Sequence, residues 1–171
     1  YTPVAGFADL REAVCTKLKR DNNLDYKPEN IITSTGAKQS LANAIYAVVD
    51  NGDEVIIPTP YWVTYSELVK MAGGKVIEIR TTPESGFKVT PQQFEAAITD
   101  KTKLFMFSSP CNPSGAVYSK AELEGLVTVF RKYPNILIIS DEIYEYINFV
   151  GGHESIAQFD DLKERVILIN G

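Results

Sequence analysis

Two cysteines, one histidine and one tryptophan are all that the 171 residues carry of these types, and the scarcity excludes a good deal. Cys15 and Cys111 fit neither a CxxC pair nor a zinc spacing, so they read as free thiols rather than a disulfide framework. His153 stands alone in Gly151-Gly152-His153-Glu154, without the companions that a metal centre requires, and is expected on a surface loop. Cys111 as a nucleophile with His153 as its base is disfavoured, because no basic neighbour in the sequence lowers the thiol pKa. The patterns HExxH, GxSxG, GxxxxGK[ST] and GxGxxG are all missing, which argues against a zinc protease, a serine hydrolase, a P-loop protein and a dinucleotide-binding module.

Positive charge is also short. Lys and Arg number 17 against 22 Asp and Glu, for a net charge of −5 and a pI near 5.0, and no basic cluster offers a footprint for nucleic acid. No apolar run approaches the roughly 18 residues of a membrane span, and no charged-then-apolar leader opens the chain. A cytoplasmic location is the expectation. The chain starts at Tyr1 without an initiator Met and stops at Gly171, directly after the apolar run Val166 to Ile169, and is expected to be part of a longer protein.

What remains is an ordinary globular composition, 44% hydrophobic and 23% charged, with a regular alternation of patterns. Apolar residues recur at helical spacing from Phe7 to about Arg20, through Leu41, Ala44, Ile45 and Val48, from Thr64 to Met71, from Pro91 to Ile98, and from Ser119 through Phe130. Between them lie short apolar runs that read as strands: Ile31 to Thr33, Glu54 to Ile57, Lys75 to Ile79, Leu104 to Phe107, Ile136 to Ile139 and Val166 to Ile169. The alternation predicts an α/β fold of three layers, a mostly parallel sheet with helices on both faces. In such sheets ligands bind beyond the carboxyl ends of strands.

Four polar groups lie just past strand patterns. Gly36-Ala37-Lys38 forms a strand-to-helix turn where backbone N–H groups favour an anion such as phosphate; the alternative is a plain helix entry with Lys38 in solvent. Trp62, in Pro60-Tyr61-Trp62, presents a flat face for stacking on a ring or serves the core. Asn112 projects from Ser108-Ser109-Pro110-Cys111-Asn112-Pro113-Ser114-Gly115, a loop stiffened by two prolines, or is simply a turn residue. Asp141, after four apolar residues, is a carboxylate in a low-dielectric setting that needs a cationic or hydrogen-bonding partner, and Tyr144 falls on its side if a helical turn begins there.

Taken in order, these pieces resemble the class I/II aminotransferases of the fold-type I pyridoxal-phosphate enzymes, in their aspartate aminotransferase-like branch. The resemblance spans nearly the whole chain and is carried by Leu10-Arg11-Glu12-Ala13, Thr35-Gly36-Ala37-Lys38-Gln39, Pro60-Tyr61-Trp62, Ser109 to Gly115 and Ser140-Asp141-Glu142-Ile143-Tyr144. It implies pyridoxal 5'-phosphate as cofactor, amino acids and 2-oxo acids as substrates, and a homodimer. Asp141 would pair with the pyridine nitrogen, Asn112 and Tyr144 would hydrogen-bond the ring oxygen, and Trp62 would stack on the ring. Gly36, Ala37 and Lys38 would receive the phosphate, and Tyr1 would reach the phosphate of the neighbouring subunit. Cys111 and Ser114 depart from the family's usual Asn and Thr at those loop positions. The family's Schiff-base lysine is expected just past residue 171, so the chain is expected to be a partial large domain, lacking the N-terminal arm and the small domain and inactive by itself. Other readings of the resemblance are an aromatic or alanine aminotransferase, a lyase, or the aminotransferase-like effector domain of a transcription regulator.

Overall fold

A computed structural model describes residues 1–171. Its helices are α1 (Ala8–Asn22), α2 (Ala37–Val48), α3 (Thr64–Met71), α4 (Pro91–Ala97) and α5 (Lys120–Lys132). Its strands are β1 (Glu54–Thr59), β2 (Lys75–Arg80), β3 (Thr102–Ser108), β4 (Leu137–Asp141) and β5 (Val166–Ile169). All four strand pairings are parallel and the order is β2-β1-β3-β4-β5. The expected three-layer α/β architecture is therefore present.

The layers follow from the twofold alternation of side chains along strands buried on both faces. Ile56, Phe105, Phe107 and Ile138 point to one side and pack under Phe94 of α4 and Leu123, Leu126, Val127 and Phe130 of α5. Val55, Ile57, Leu104, Met106 and Ile139 point to the other and meet Leu41 and Ile45 of α2 and Tyr65 and Val69 of α3. On the first side Phe94 lies 4.5 Å from Phe105 and 4.8 Å from Phe130, ring centre to ring centre, so an aromatic cluster joins sheet to both helices. Ser119 opens α5 by accepting from the Glu122 N–H while the Glu122 carboxylate accepts from the Ser119 N–H at 2.8 Å, the reciprocal cap that the sequence suggests.

The strand order places the site. Chain progress runs from β1 outward to β2, then crosses back to β3 on the other side of β1 and continues to β4 and β5. The order reverses between β1 and β3, and the loops beyond their carboxyl ends part there to leave a crevice.

Two expectations fail. Ile31 to Thr33 is not a strand: the Thr33 N–H donates to the Ala5 carbonyl at 3.1 Å, no ladder forms, and Ile32 is 70% exposed. A β-branched run has the propensity but not the neighbour, and a strand without a partner has no hydrogen bonds to gain. The apolar face of α1 is also only partly used, since Leu18 is buried while Leu10 is 48% exposed.

Replacing Phe105 with Ala should cost about 3–5 kcal/mol, because a fully buried aromatic is lost from a close-packed cluster. Ser119→Ala should cost only about 1 kcal/mol through loss of the helix cap. Urea denaturation with an unchanged m value would measure both, and equal costs would refute this ranking.

Candidate active site

Asp141 ends β4 and is the most demanding group in the fold. It is 3% exposed, stands opposite Ser108 in the β3–β4 ladder, and has no Lys or Arg partner. Its carboxylate is held by two donors: the Tyr65 hydroxyl to Oδ2 at 2.5 Å and the Ile143 N–H to Oδ1 at 3.2 Å. Burial pushes the Asp141 carboxyl above its ordinary value, and these hydrogen bonds offset only part of that rise. Tyr65 is itself raised, first by burial and then by the negative charge of Asp141, so its phenol stays protonated and donates. The sequence reading missed Tyr65. Its signal was the spacing Trp62 to Tyr65, which puts the phenol one helical turn beyond the tryptophan on the buried face of α3.

Trp62 is half-buried in the loop just before α3, edge-on to Tyr65 with ring centres 5.8 Å apart. The Lys38 ammonium lies 4.9 Å from the Trp62 ring centre, which joins the Gly36 turn to the tryptophan. At that turn Gly36 adopts a φ of +85°, a left-handed conformation open to glycine, and a Cβ placed there would meet nothing within 4 Å. No side chain caps α2. The N–H groups of Ala37 and Lys38, in its first turn, are therefore left unpaired at the positive end of the helix dipole.

Beyond β3 the loop is tied down by its own backbone. The Ser109 N–H donates to the Asp141 carbonyl at 3.1 Å, the Cys111 N–H to Ala116 at 2.9 Å, and the Gly115 N–H back to Cys111 at 2.7 Å. Ser109 Oγ, buried, accepts from the Tyr118 N–H at 3.1 Å. Asn112 is thereby held at the rim of a cleft of about 380 Å³. Pro110, Cys111, Asn112 and Pro113 form one wall, and Tyr144, Ile147 and Phe149 form the other. Asp141 is not part of that lining; it lies deeper, against Tyr65. The cleft thus brings Asn112 and Tyr144 together. Tyr1 stands apart, fully exposed and without a hydrogen bond in the chain.

Tyr144 arrives there through successive turns rather than a helix, with the Glu145 N–H donating to Glu142 and the Ile147 N–H to Tyr144. His153, expected on a surface loop, is corrected by the structure. Its side chain is only 8% exposed, and Nε2 lies 2.6 Å from the Glu142 carboxylate. A sequence shows no partner for a histidine eleven residues from its carboxylate when a loop must close to join them. Cys15 and Cys111 are free, as expected.

These residues fit pyridoxal phosphate chemically. A buried carboxylate without a cationic partner suits a protonated ring nitrogen, an uncapped helix start beside a lysine suits a phosphate, and Trp62 between them offers an aromatic face.

Comparison with known proteins gives the family. The family model described as aminotransferase class I and II matches residues 1–170. An aspartate aminotransferase of Bacillus subtilis and an aspartate/prephenate aminotransferase of Nitrosomonas europaea are each 49% identical over 173 residues, covering all of this chain and 44% of theirs. The solved aspartate aminotransferase of Rhizobium meliloti superposes with a TM-score of 0.98 at 42% identity, over all of this chain and 43% of that one. An aromatic aminotransferase of Pyrococcus horikoshii gives 0.95 at 38%. The chain spans less than half the length of these relatives.

Because the folded protein holds a proton on Asp141 more tightly than the unfolded chain does, ionising it costs stability. That cost is absent below the ordinary Asp value and grows as pH rises from there through the raised folded value. Asp141→Asn should therefore gain in urea midpoint over the parent across that window, with the advantage vanishing at lower pH. An advantage independent of pH would show that Asp141 titrates normally.

Proposed function

The chain belongs to the class I and II aminotransferase family, and from that premise we propose that it is the pyridoxal-phosphate-binding part of a transaminase that moves an amino group from an amino acid such as aspartate to a 2-oxo acid. The observation that carries the reading is Asp141: a carboxylate 3% exposed at the carboxyl end of the sheet, oriented by two donors and left without a cation. Such a group is costly unless something charged or hydrogen-bonding completes it. The names of the relatives support aspartate as one substrate, and a Thermus thermophilus aspartate aminotransferase solved with maleate supports a dicarboxylic one.

Bound pyridoxal phosphate supplies an electron sink that eases removal of the substrate Cα proton. The residues of this chain bind and tune it. Asp141 would hold a proton on the pyridine nitrogen, its carboxylate oriented by Tyr65 and the Ile143 N–H. Asn112 and Tyr144 hydrogen-bond the ring oxygen from opposite walls of the cleft. Trp62 covers a ring face. Gly36, Ala37 and Lys38 receive the phosphate, the lysine adding charge to the helix start. Tyr1 extends to the phosphate of a second subunit in a homodimer, in the cytoplasm. In this reading the lysine that anchors the cofactor and accepts the Cα proton comes from the parent protein beyond β5, as do the small domain and the groups that select the substrate.

The test uses the full-length parent, assayed with aspartate and 2-oxoglutarate and then with an aromatic donor. Asp141→Ala should lower kcat by about 10²–10³-fold and weaken the visible cofactor band. The 171-residue chain alone should turn over neither donor. Unchanged spectrum and kinetics in the Asp141 variant would remove that residue from its role, and turnover by the isolated chain would place the whole catalytic set within it.

A further inference from the structure

Directly after Asp141 comes a second buried carboxylate that the proposed chemistry does not use. Glu142 is 1% exposed, and its N–H donates to the Ile169 carbonyl of β5 at 2.8 Å, so the backbone there is fixed to the sheet. Its side chain has no Lys or Arg partner. Oε1 accepts from the Ser140 and Ser155 hydroxyls, both at 2.8 Å, and Oε2 lies 2.6 Å from His153 Nε2. Three donors thus converge on one carboxylate, and two of them, His153 and Ser155, come from the far end of the loop that begins at Ile143.

That loop makes one wall of the cleft. Tyr144, Ile147 and Phe149 face the cavity, while Tyr146, Ile147, Phe149 and Val150 are 57–92% exposed and bury little to hold themselves in place. Its near end is tied to α1, where Glu145 takes hydrogen bonds from Lys17 and from Asn22 Nδ2, the latter at 2.9 Å. Its far end carries Gly151 and Gly152, which restrain it little, and then meets Glu142. Past His153 the chain enters the core at Ser155, Ile156 and Ala157, which are at most 4% exposed. Tyr146 is still held to α1, its hydroxyl donating to Asp21 Oδ2 at 2.7 Å, and beyond it the side-chain contact that closes residues 147–153 on the sheet is His153 to Glu142.

We propose that Glu142 and His153 form a clasp that closes the 143–152 loop on the sheet and so holds Tyr144 at the cleft, both being positioning residues for the transaminase site. The link to Tyr144 rests on the role given to that residue above. His153 Nδ1 is buried without a partner, a cost the fold accepts while Nε2 reaches the carboxylate. Removing the donor leaves a buried carboxylate one hydrogen bond short. Losing a charge-assisted bond of this kind should open the loop about tenfold more often.

The experiment follows amide hydrogen exchange in the full-length parent, with and without cofactor, for His153→Phe and His153→Gln, together with the pH midpoint of the cofactor's visible absorbance. His153→Phe should speed exchange across 143–152 about tenfold while β3 and β4 keep their protection, and should move the absorbance midpoint in the direction that Tyr144→Phe moves it. His153→Gln, which can still donate to Glu142, should restore both. Exchange unchanged in the loop, or raised equally in the strands, overturns the clasp. If loop exchange rises as expected but Tyr144→Phe leaves the absorbance midpoint unmoved, the role of Tyr144 falls and with it the link from clasp to site. Should Tyr144→Phe move the midpoint and His153→Phe not, the clasp does not position Tyr144 and the function proposed for the site stands.

Discussion

The hydrogen bond from Tyr65 to Asp141 is the contact on which the candidate site depends. A carboxylate at the end of a strand flanked by apolar runs has lost most of its hydration, and nothing cationic within the chain restores it. The phenol is suited to the position because it fills the core with its ring and presents a donor at its tip. Since Tyr65 belongs to α3 and Asp141 to β4, the bond also joins a helix on one face of the sheet to the edge where ligand would sit. A phenylalanine at 65 would pack comparably and leave the carboxylate with a single backbone donor.

Around that bond the parallel sheet does the placing. Reversal of strand order between β1 and β3 parts their following loops, and each loop delivers one element of the candidate site: Trp62 after β1 and Asn112 after β3, with Asp141 deeper, at the end of β4 against Tyr65. The start of α2, uncapped and opened by Gly36, brings a cluster of partial positive charge to the same region, and Lys38 over Trp62 links the two. None of these groups would bind a cofactor tightly alone. Their value is that the sheet and its two hydrophobic layers fix them relative to one another before any ligand arrives.

The wall opposite Asn112 is held differently. It lacks a regular element, and its exposed aromatic and aliphatic side chains contribute little burial. Polar contacts substitute: Glu145 to Lys17 and Asn22 at the near end, Glu142 to His153 and Ser155 at the far end. Two consecutive strand-end acids thus have separate tasks, Asp141 turned toward the site and Glu142 toward the loop that borders it, as the alternation of an extended chain requires.

The sequence by itself determined the layered α/β class, every strand of the sheet, and the four polar stretches that carry the candidate site residues, because strand and helix periodicities and turn chemistry are local properties. Asn112, Asp141, Trp62 and the Gly36 turn were legible for that reason. What only the tertiary structure decided are the pairings across long separations. Tyr65 and Asp141 are 76 residues apart and meet because α3 packs on the sheet that carries β4. His153 reads as a loop residue until the chain is seen to return and place it on Glu142. Ile31 to Thr33 shows the converse, a local strand pattern with no neighbour to complete it. Hydrogen-bond partners for buried charges, and ladders for strands, are supplied by distant parts of the chain, and no periodicity in the sequence encodes which distant part that is.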